Sequence, residues 1–244
     1  MLSTVTKCAE YKLLPSEGRK TISLRVTKNS SVIVHAPAHV SKEDVERFVS
    51  QRYGWIAEKQ NYFNRLRALY PPKEFIDGES FPFLGRNLRL KILQDVNAET
   101  PKCAISSKRL NIYVNGQSGE KLKMIVPEII QSLYAKHTAS RAYAFARKHA
   151  AGLAIKIGRI SVVEQKKRWG SCSRKGHIRI NWRLSMMPSA VMEYIIVHEL
   201  CHLKIPDHSA KFWGMVKSIL PDYEKRRAWL RKHGFALFLI SDWN

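Results

Sequence analysis

The 244-residue chain has four cysteines, Cys8, Cys103, Cys172 and Cys201, and none of them forms a C-x-x-C pair. That excludes a cysteine-rich zinc module and offers no disulfide framework, so a reducing, cytoplasmic setting is the expectation. Long apolar runs are also missing. YIIV at 194–197 is typical of the longest, far short of the roughly 18 residues a membrane span needs. The first twenty residues show no charged head followed by an apolar stretch, so no secretory signal is expected. Internal repeats and low-complexity tracts are absent, and the ordinary share of hydrophobic residues argues for a folded globular chain.

Acidic residues are scarce, at 20 against 42 lysines and arginines, a net charge of +22. The deficit is concentrated. Residues 141–190 carry twelve lysines and arginines and a single acid, Glu164. Such a face attracts polyanions, whether nucleic acid, nucleotide or acidic protein, or serves only as a solvated surface.

What is present divides near residue 118. The first part, 1–118, reads as β-rich with one helix. KTISLRV and SVIVHAP are strand-like around an NSS turn. A helix opens at Ser41, with Glu43 and Asp44 in its first turn, and continues to about residue 66. Short strands follow in SFPFLG, LRLKIL, CAISS and LNIYVNG. The second part, 119–244, is helix-rich. A long alanine-rich helix precedes a strand at 157–165, a glycine-serine loop RWGSCSRKG at 168–176 and a strand at 177–184. Three helices come next, opening at Pro188/Ser189, Ser209 and Asp222, with Gly234 as the last stop signal. The two parts are equally compatible with one continuous fold.

The chemistry is concentrated in VHELCHLKIPDHSAKFW, residues 197–213. His198 and His202 are four residues apart, which on a helix places both imidazoles on one face, one turn apart. Glu199 follows the first histidine. This is the H-E-x-x-H arrangement, in which zinc takes the two histidines and the glutamate acts as general base. The residues before it, Tyr194 to Val197, are bulky and apolar. Burying two imidazoles and a carboxylate beside them costs free energy unless a metal pairs them. A catalytic zinc takes a third protein ligand. His208, six residues after His202, has the spacing of the extended zincin motif. Ile205 stands where that motif has glycine, but Pro206 can end the helix instead. Glu224 is the alternative ligand. Cys201 reads as core packing; Cys172 reads as a buried free thiol that could approach the site.

RWGSCSRKGHIRINWRL followed by VMEYIIVHELCHLKIPDHSAKFW resembles the YgjP-like metallopeptidases, relatives of the SprT-like and WLM zincins. The match is strong over 168–213 and weaker over most of the chain. The resemblance implies an α+β, zincin-like fold in which the zinc-site helix packs on a small mixed sheet. It also implies one Zn²⁺ per chain held by His198, His202 and His208, with Glu199 as the base.

The leading expectation is therefore a zinc-dependent peptidase acting on a peptide or protein. The strand 177–184, with Ile178, Ile180 and Asn181, is the expected edge for an extended substrate. Tyr223, His177 and Arg168, in that order, are candidates for the second oxyanion donor. Two other readings stand beside it: a metal-dependent nucleotide or phosphoanhydride hydrolase, and a protease recruited to nucleic acid by its basic face.

Overall fold

The computed structural model of the chain describes residues 9–241; Cys8 lies outside them. The chain divides after Pro72 into two compact units. The boundary between them thus falls earlier than residue 118, and the strands of 80–114 belong with the helices that follow.

In the first unit, β1 (Tyr11–Ser16), β2 (Ser23–Val26) and β3 (Val32–Pro37) form a sheet in the order β1-β3-β2. β1 runs parallel to β3, and β2 antiparallel to it. The sequence reading missed β1, whose Pro15 breaks a regular strand pattern; proline is tolerated there because β1 is an edge. Val32, Val34 and Ala36 alternate onto the buried face of β3 and pack with Val45, Val49 and Ile56. Those three come from α1 (Lys42–Ser50) and α2 (Tyr53–Leu69). The Ser41 hydroxyl accepts from the Asp44 amide at 3.1 Å, the expected N-cap. One helix was expected here and two are present. The Arg52 amide bonds to Val49 O at 3.0 Å and closes α1 in a tighter turn, and Ile56 N to Arg52 O at 2.9 Å starts α2.

The second unit begins with β4 (Ser80–Phe83), β5 (Arg86–Gln94), β6 (Lys102–Ser106) and β7 (Arg109–Val114), in the order β4-β5-β7-β6. The long helix α3 (Glu120–Ala150) follows. A small sheet of β8 (Ile160–Val163), β9 (Gly170–Cys172) and β10 (Ile178–Asn181) has the order β8-β10-β9. A 3₁₀ turn (Trp182–Met186) leads into α4 (Ser189–His202), α5 (Ala210–Ile219) and α6 (Tyr223–Ile240). The architecture is α+β with small mixed sheets. Among the described residues no helix is long and apolar enough to cross a membrane.

Helix α4 is buried on nearly every side, with Ile195, Ile196, Val197, Leu200 and Cys201 in the core. Buried polar bonds tie its surroundings. The Tyr134 hydroxyl donates to Pro82 O at 2.7 Å, and Thr138 Oγ1 donates to Trp182 O at 2.9 Å. Glu193, on α4, accepts from Lys148 and pairs with His149, both on α3, and accepts from Arg226 on α6, all within 2.9 Å. One carboxylate thus pins three helices together. Burial works to raise its pKa, but bonds from Lys148, His149 and Arg226 outweigh that and hold it down at about 2.

Two expectations are corrected here. The strand at 177–184 ends at Asn181, because the Asn181 side chain accepts from the Arg183 amide at 3.1 Å and turns the chain into the 3₁₀ segment. Gly234 does not stop a helix: α6 runs through it to Ile240. The Trp169 indole lies 3.3 Å from where a Cβ on Gly234 would stand, so this glycine provides room for a ring packed against the helix.

Candidate metal centre

The spacing of α4 sets His198 and His202 one turn apart, and the chain then doubles back. Lys204 and Ile205 amides both bond to Cys201 O, at 3.0 and 2.9 Å, closing the helix without a glycine. Ile205 is buried as a plug, and Pro206 leads out. Asp207 Oδ1 accepts from the Ser209 amide at 3.0 Å at the start of α5. This hairpin swings His208 over the α4 pair. The three Nε2 atoms form a triangle with every side 3.1 Å.

The second ring nitrogens and the packing fix this arrangement. His202 Nδ1 is 3.1 Å from Ile205 O, a bond that places the proton on Nδ1 and leaves Nε2 with a lone pair. The Phe212 ring, fully buried, stacks on His202 at 4.4 Å and meets the other two imidazoles edge-on at 5.0 and 4.9 Å. Trp213 stacks on His208 at 5.6 Å. Burial, the neighbouring imidazoles and Arg227 push the His198 pKa down to about 3. Burial, His202 and Arg227 lower His208 as well. Both are then neutral near pH 7, the form that ligates a metal.

The triangle fits a metal better than a hydrogen-bond network. Three ring nitrogens that each face the other two cannot all be donor and acceptor. Tetrahedral ligation at 2.0–2.1 Å needs nitrogens about 3.3 Å apart, close to the observed spacing. Among the described residues this is the only group of three such side chains with ligand atoms so close together.

Glu199 lies beside the triangle in a cavity of about 510 Å³, lined also by Arg168, Gly170, Ser171, Cys172, Arg174 and Lys204. The side chain is buried. Burial pushes its pKa up to about 7, against opposing effects from Arg168 and from the Cys172 thiol, which donates a hydrogen bond to the carboxylate. The carboxylate nearly touches Gly170: a Cβ there would stand 2.7 Å from Glu199 Oε1. Burial and Glu199 together raise the Cys172 thiol to about 11, so it is a hydrogen-bond donor and not a thiolate near neutral pH.

The other residues singled out in the sequence scatter. Arg168 lines the cavity, although it ranked last among the oxyanion candidates. Tyr223 stacks on Trp213 and donates to Glu224 at 3.3 Å, and neither residue lines the cavity. His177 Nδ1 accepts from the Arg159 amide, away from the cavity.

The edge-strand expectation fails. β10 is the central strand, paired to β8 on one side and β9 on the other, with Ile178, Ile180 and Asn181 buried. Asn181 instead donates to Gln165 O at 2.7 Å and Arg168 O at 3.1 Å, anchoring the loop that presents Arg168. The free edge beside the cavity is β9. On either side of it the Ser173 amide donates to His177 O and Trp169 O accepts from the Asn181 amide, both at 2.9 Å, so the alternating residues, Gly170 and Cys172, turn their backbone groups outward. Sequence reasoning did not assign Gly170, and left Cys172 open. The signal was the run of small residues in RWGSC, which lets a strand edge approach a carboxylate. Cys201 is core, as expected.

A family model described as YgjP-like, metallopeptidase domain, matches residues 20–233. Comparison with curated proteins finds no match. Among solved structures, the chain is similar to the metallopeptidase zymogen abylysin of Pyrococcus abyssi at 22% identity, over 37% of this chain and 93% of that one, with a TM-score of 0.34.

Proposed function

The chain belongs to the YgjP-like metallopeptidase family, and from that premise we propose that it is a zinc-dependent peptidase whose ligands are His198, His202 and His208 and whose general base is Glu199. The observation that carries this reading is the equilateral Nε2 triangle with a buried carboxylate alongside. When bound, zinc supplies Lewis acidity, polarising a carbonyl and lowering the pKa of water towards ~7.

The protein's own groups do the rest. Glu199, with a pKa near neutral, takes a proton from the attacking water and passes it to the departing amine. Gly170 and the Cys172 thiol hold that carboxylate in one orientation. Arg168, the one oxyanion candidate lining the cavity, faces the charge that develops there. The outward amide and carbonyl groups of Gly170 and Cys172 hold an extended peptide by strand addition.

Elemental analysis of the purified protein, beside His202→Ala and His208→Ala, tests the ligand set. One zinc per chain, lost in both variants, is expected. Zinc-dependent cleavage of a quenched peptide, abolished in a Glu199→Gln variant that keeps its zinc, tests the base. Zinc absent from the folded wild type after reconstitution would defeat the reading.

A second reading is favoured by Arg168, Arg174 and Lys204 in the same cavity wall. It keeps the metal and replaces the carbonyl with a phosphoanhydride. Phosphate release from a nucleoside triphosphate, with peptides untouched, would move the assignment there.

A further inference from the structure

A second cavity, of about 500 Å³, adjoins the one that holds Glu199. The two share Arg174, Leu203 and Lys204 as a common wall. Lys156 and Lys175 complete a set of four cations around the second cavity, and no acidic residue lines it. All four are exposed. None makes an ion pair or side-chain hydrogen bond among the described residues, whereas basic residues elsewhere in this unit do, such as Lys148 with Glu193 and the buried Arg183 with Glu164. Between the cations the wall is aliphatic, formed by Ile155, Ile157 and Leu203.

Four unpaired cations in one concavity repel one another, and a bound anion relieves that repulsion. The position is what gives the cluster meaning. β9 runs from Gly170 beside Glu199 to Cys172, and the chain then passes through Ser173 directly into Arg174 and Lys175. An extended chain laid along the β9 edge therefore leaves the Glu199 cavity over this basic wall. Nucleotide recognition would call for a stacking ring or an amide side chain to read a base; the lining contains neither.

We infer that this basic cavity is a specificity subsite for acidic side chains of a polypeptide substrate, placed within a few residues of the bond to be cleaved. The inference rests on the peptidase reading above. It extends that reading from peptides in general to segments rich in aspartate or glutamate. The aliphatic strip suits the stems of glutamate and the neighbouring apolar side chains.

The test is binding, measured without turnover. Zinc-loaded Glu199→Gln protein is titrated with a fluorescent glutamate-rich peptide and with its glutamine counterpart. The acidic peptide is expected to bind at least ~10-fold more tightly, and the preference to shrink as salt is raised. Lys156→Glu/Lys175→Glu removes the preference while the zinc content stays at the wild-type value; both residues line only the basic cavity. Lys156→Gln/Lys175→Gln, a milder change, gives an intermediate loss and guards against a folding defect. Equal affinity for the two peptides overturns the subsite, as does a preference that survives charge reversal. So does tight binding of a nucleoside triphosphate or an oligonucleotide with no binding of the acidic peptide. Hydrolysis by wild type separates the two readings. If the glutamine peptide is cut but acidity brings no tighter binding, the subsite alone fails. If the acidic peptide is preferred but neither peptide is ever cut, the peptidase reading alone fails.

Discussion

Gly170 and Glu199 are in contact: the backbone of the β9 edge comes so close to the carboxylate that a methyl group on Gly170 would stand 2.7 Å from Oε1 and 2.9 Å from Cγ. Oε1 ends the glutamate side chain and can move, but Cγ is held close to the backbone of α4, a helix buried on nearly every side. Gly170→Ala must therefore displace the carboxylate or the strand edge. We expect zinc to remain, because the imidazoles are untouched, and kcat to fall roughly 100-fold through misplacement of the base. Zinc stoichiometry measured with peptide turnover checks this; wild-type turnover would show that the contact relaxes freely.

Cys172 acts on the same carboxylate through a hydrogen bond. Cys172→Ala removes the donor and Cys172→Ser supplies another. Turnover is expected to drop about 10-fold in the alanine variant, the order of one charge-assisted bond. The serine variant should recover most of it, with zinc content equal in all three proteins. Equal loss in both variants would point to packing as the cause.

Phe212 is the floor beneath all three imidazoles. Phe212→Ala leaves a cavity in the core, which costs about 3–5 kcal/mol. It also frees the rings to turn, so zinc affinity should fall on the order of 10- to 100-fold. Phe212→Leu fills much of the space and should fall between. Chemical denaturation with zinc present, and competition against a chelator, read the two effects separately.

Glu193 supplies the pH dependence. Its folded pKa of about 2 lies below the ordinary 4.5, so its contribution to stability is fully present above about pH 4.5. That contribution is lost as the pH falls through 2. Glu193→Gln takes the carboxylate from His149 and leaves Arg226 with Asp222 as its remaining acid, and should cost about 3 kcal/mol at pH 7. The gap between wild type and variant should close on acidification in urea melts. A gap that stays constant down to pH 2 would rule out the ion cluster as its source.

Zinc binding to the folded state alone stabilises it by mass action, about 2.7 kcal/mol at 100 times the Kd. The melting temperature of the stripped protein should rise with added zinc, and His208→Ala should abolish the rise. An unchanged melting temperature in the wild type would mean that the triangle does not hold the ion.

Much of the centre was readable in one dimension. The i, i+4 histidines and the adjacent glutamate follow from the helical repeat, which is a local property of the backbone. The Ser41 cap, the strands of 80–114 and the core role of Cys201 were legible for the same reason. His208 was nearly so, since a short hairpin limits where six residues can reach. Elsewhere the local signal misled. Gly234 looked like a stop only because Trp169, the ring that needs its space, is distant in sequence. Asn181 looked like part of a substrate edge only because alternation shows which face of a strand is buried, not which neighbours it has.

The sequence by itself determined the candidate ligand set and the charge balance: His198 and His202 share a helix face, and residues 141–190 hold a single acid. Only the tertiary structure decided the surroundings of that chemistry. Strand order makes β9 the free edge and buries β10. It brings Gly170 and Cys172 against Glu199, leaves Tyr223 behind Trp213, and gathers Lys156, Arg174, Lys175 and Lys204 into one cavity. The physical reason is range. Helix geometry is set by bonds four residues apart, whereas strand neighbours and cavity walls are set by packing between segments tens of residues apart, and no local pattern encodes that.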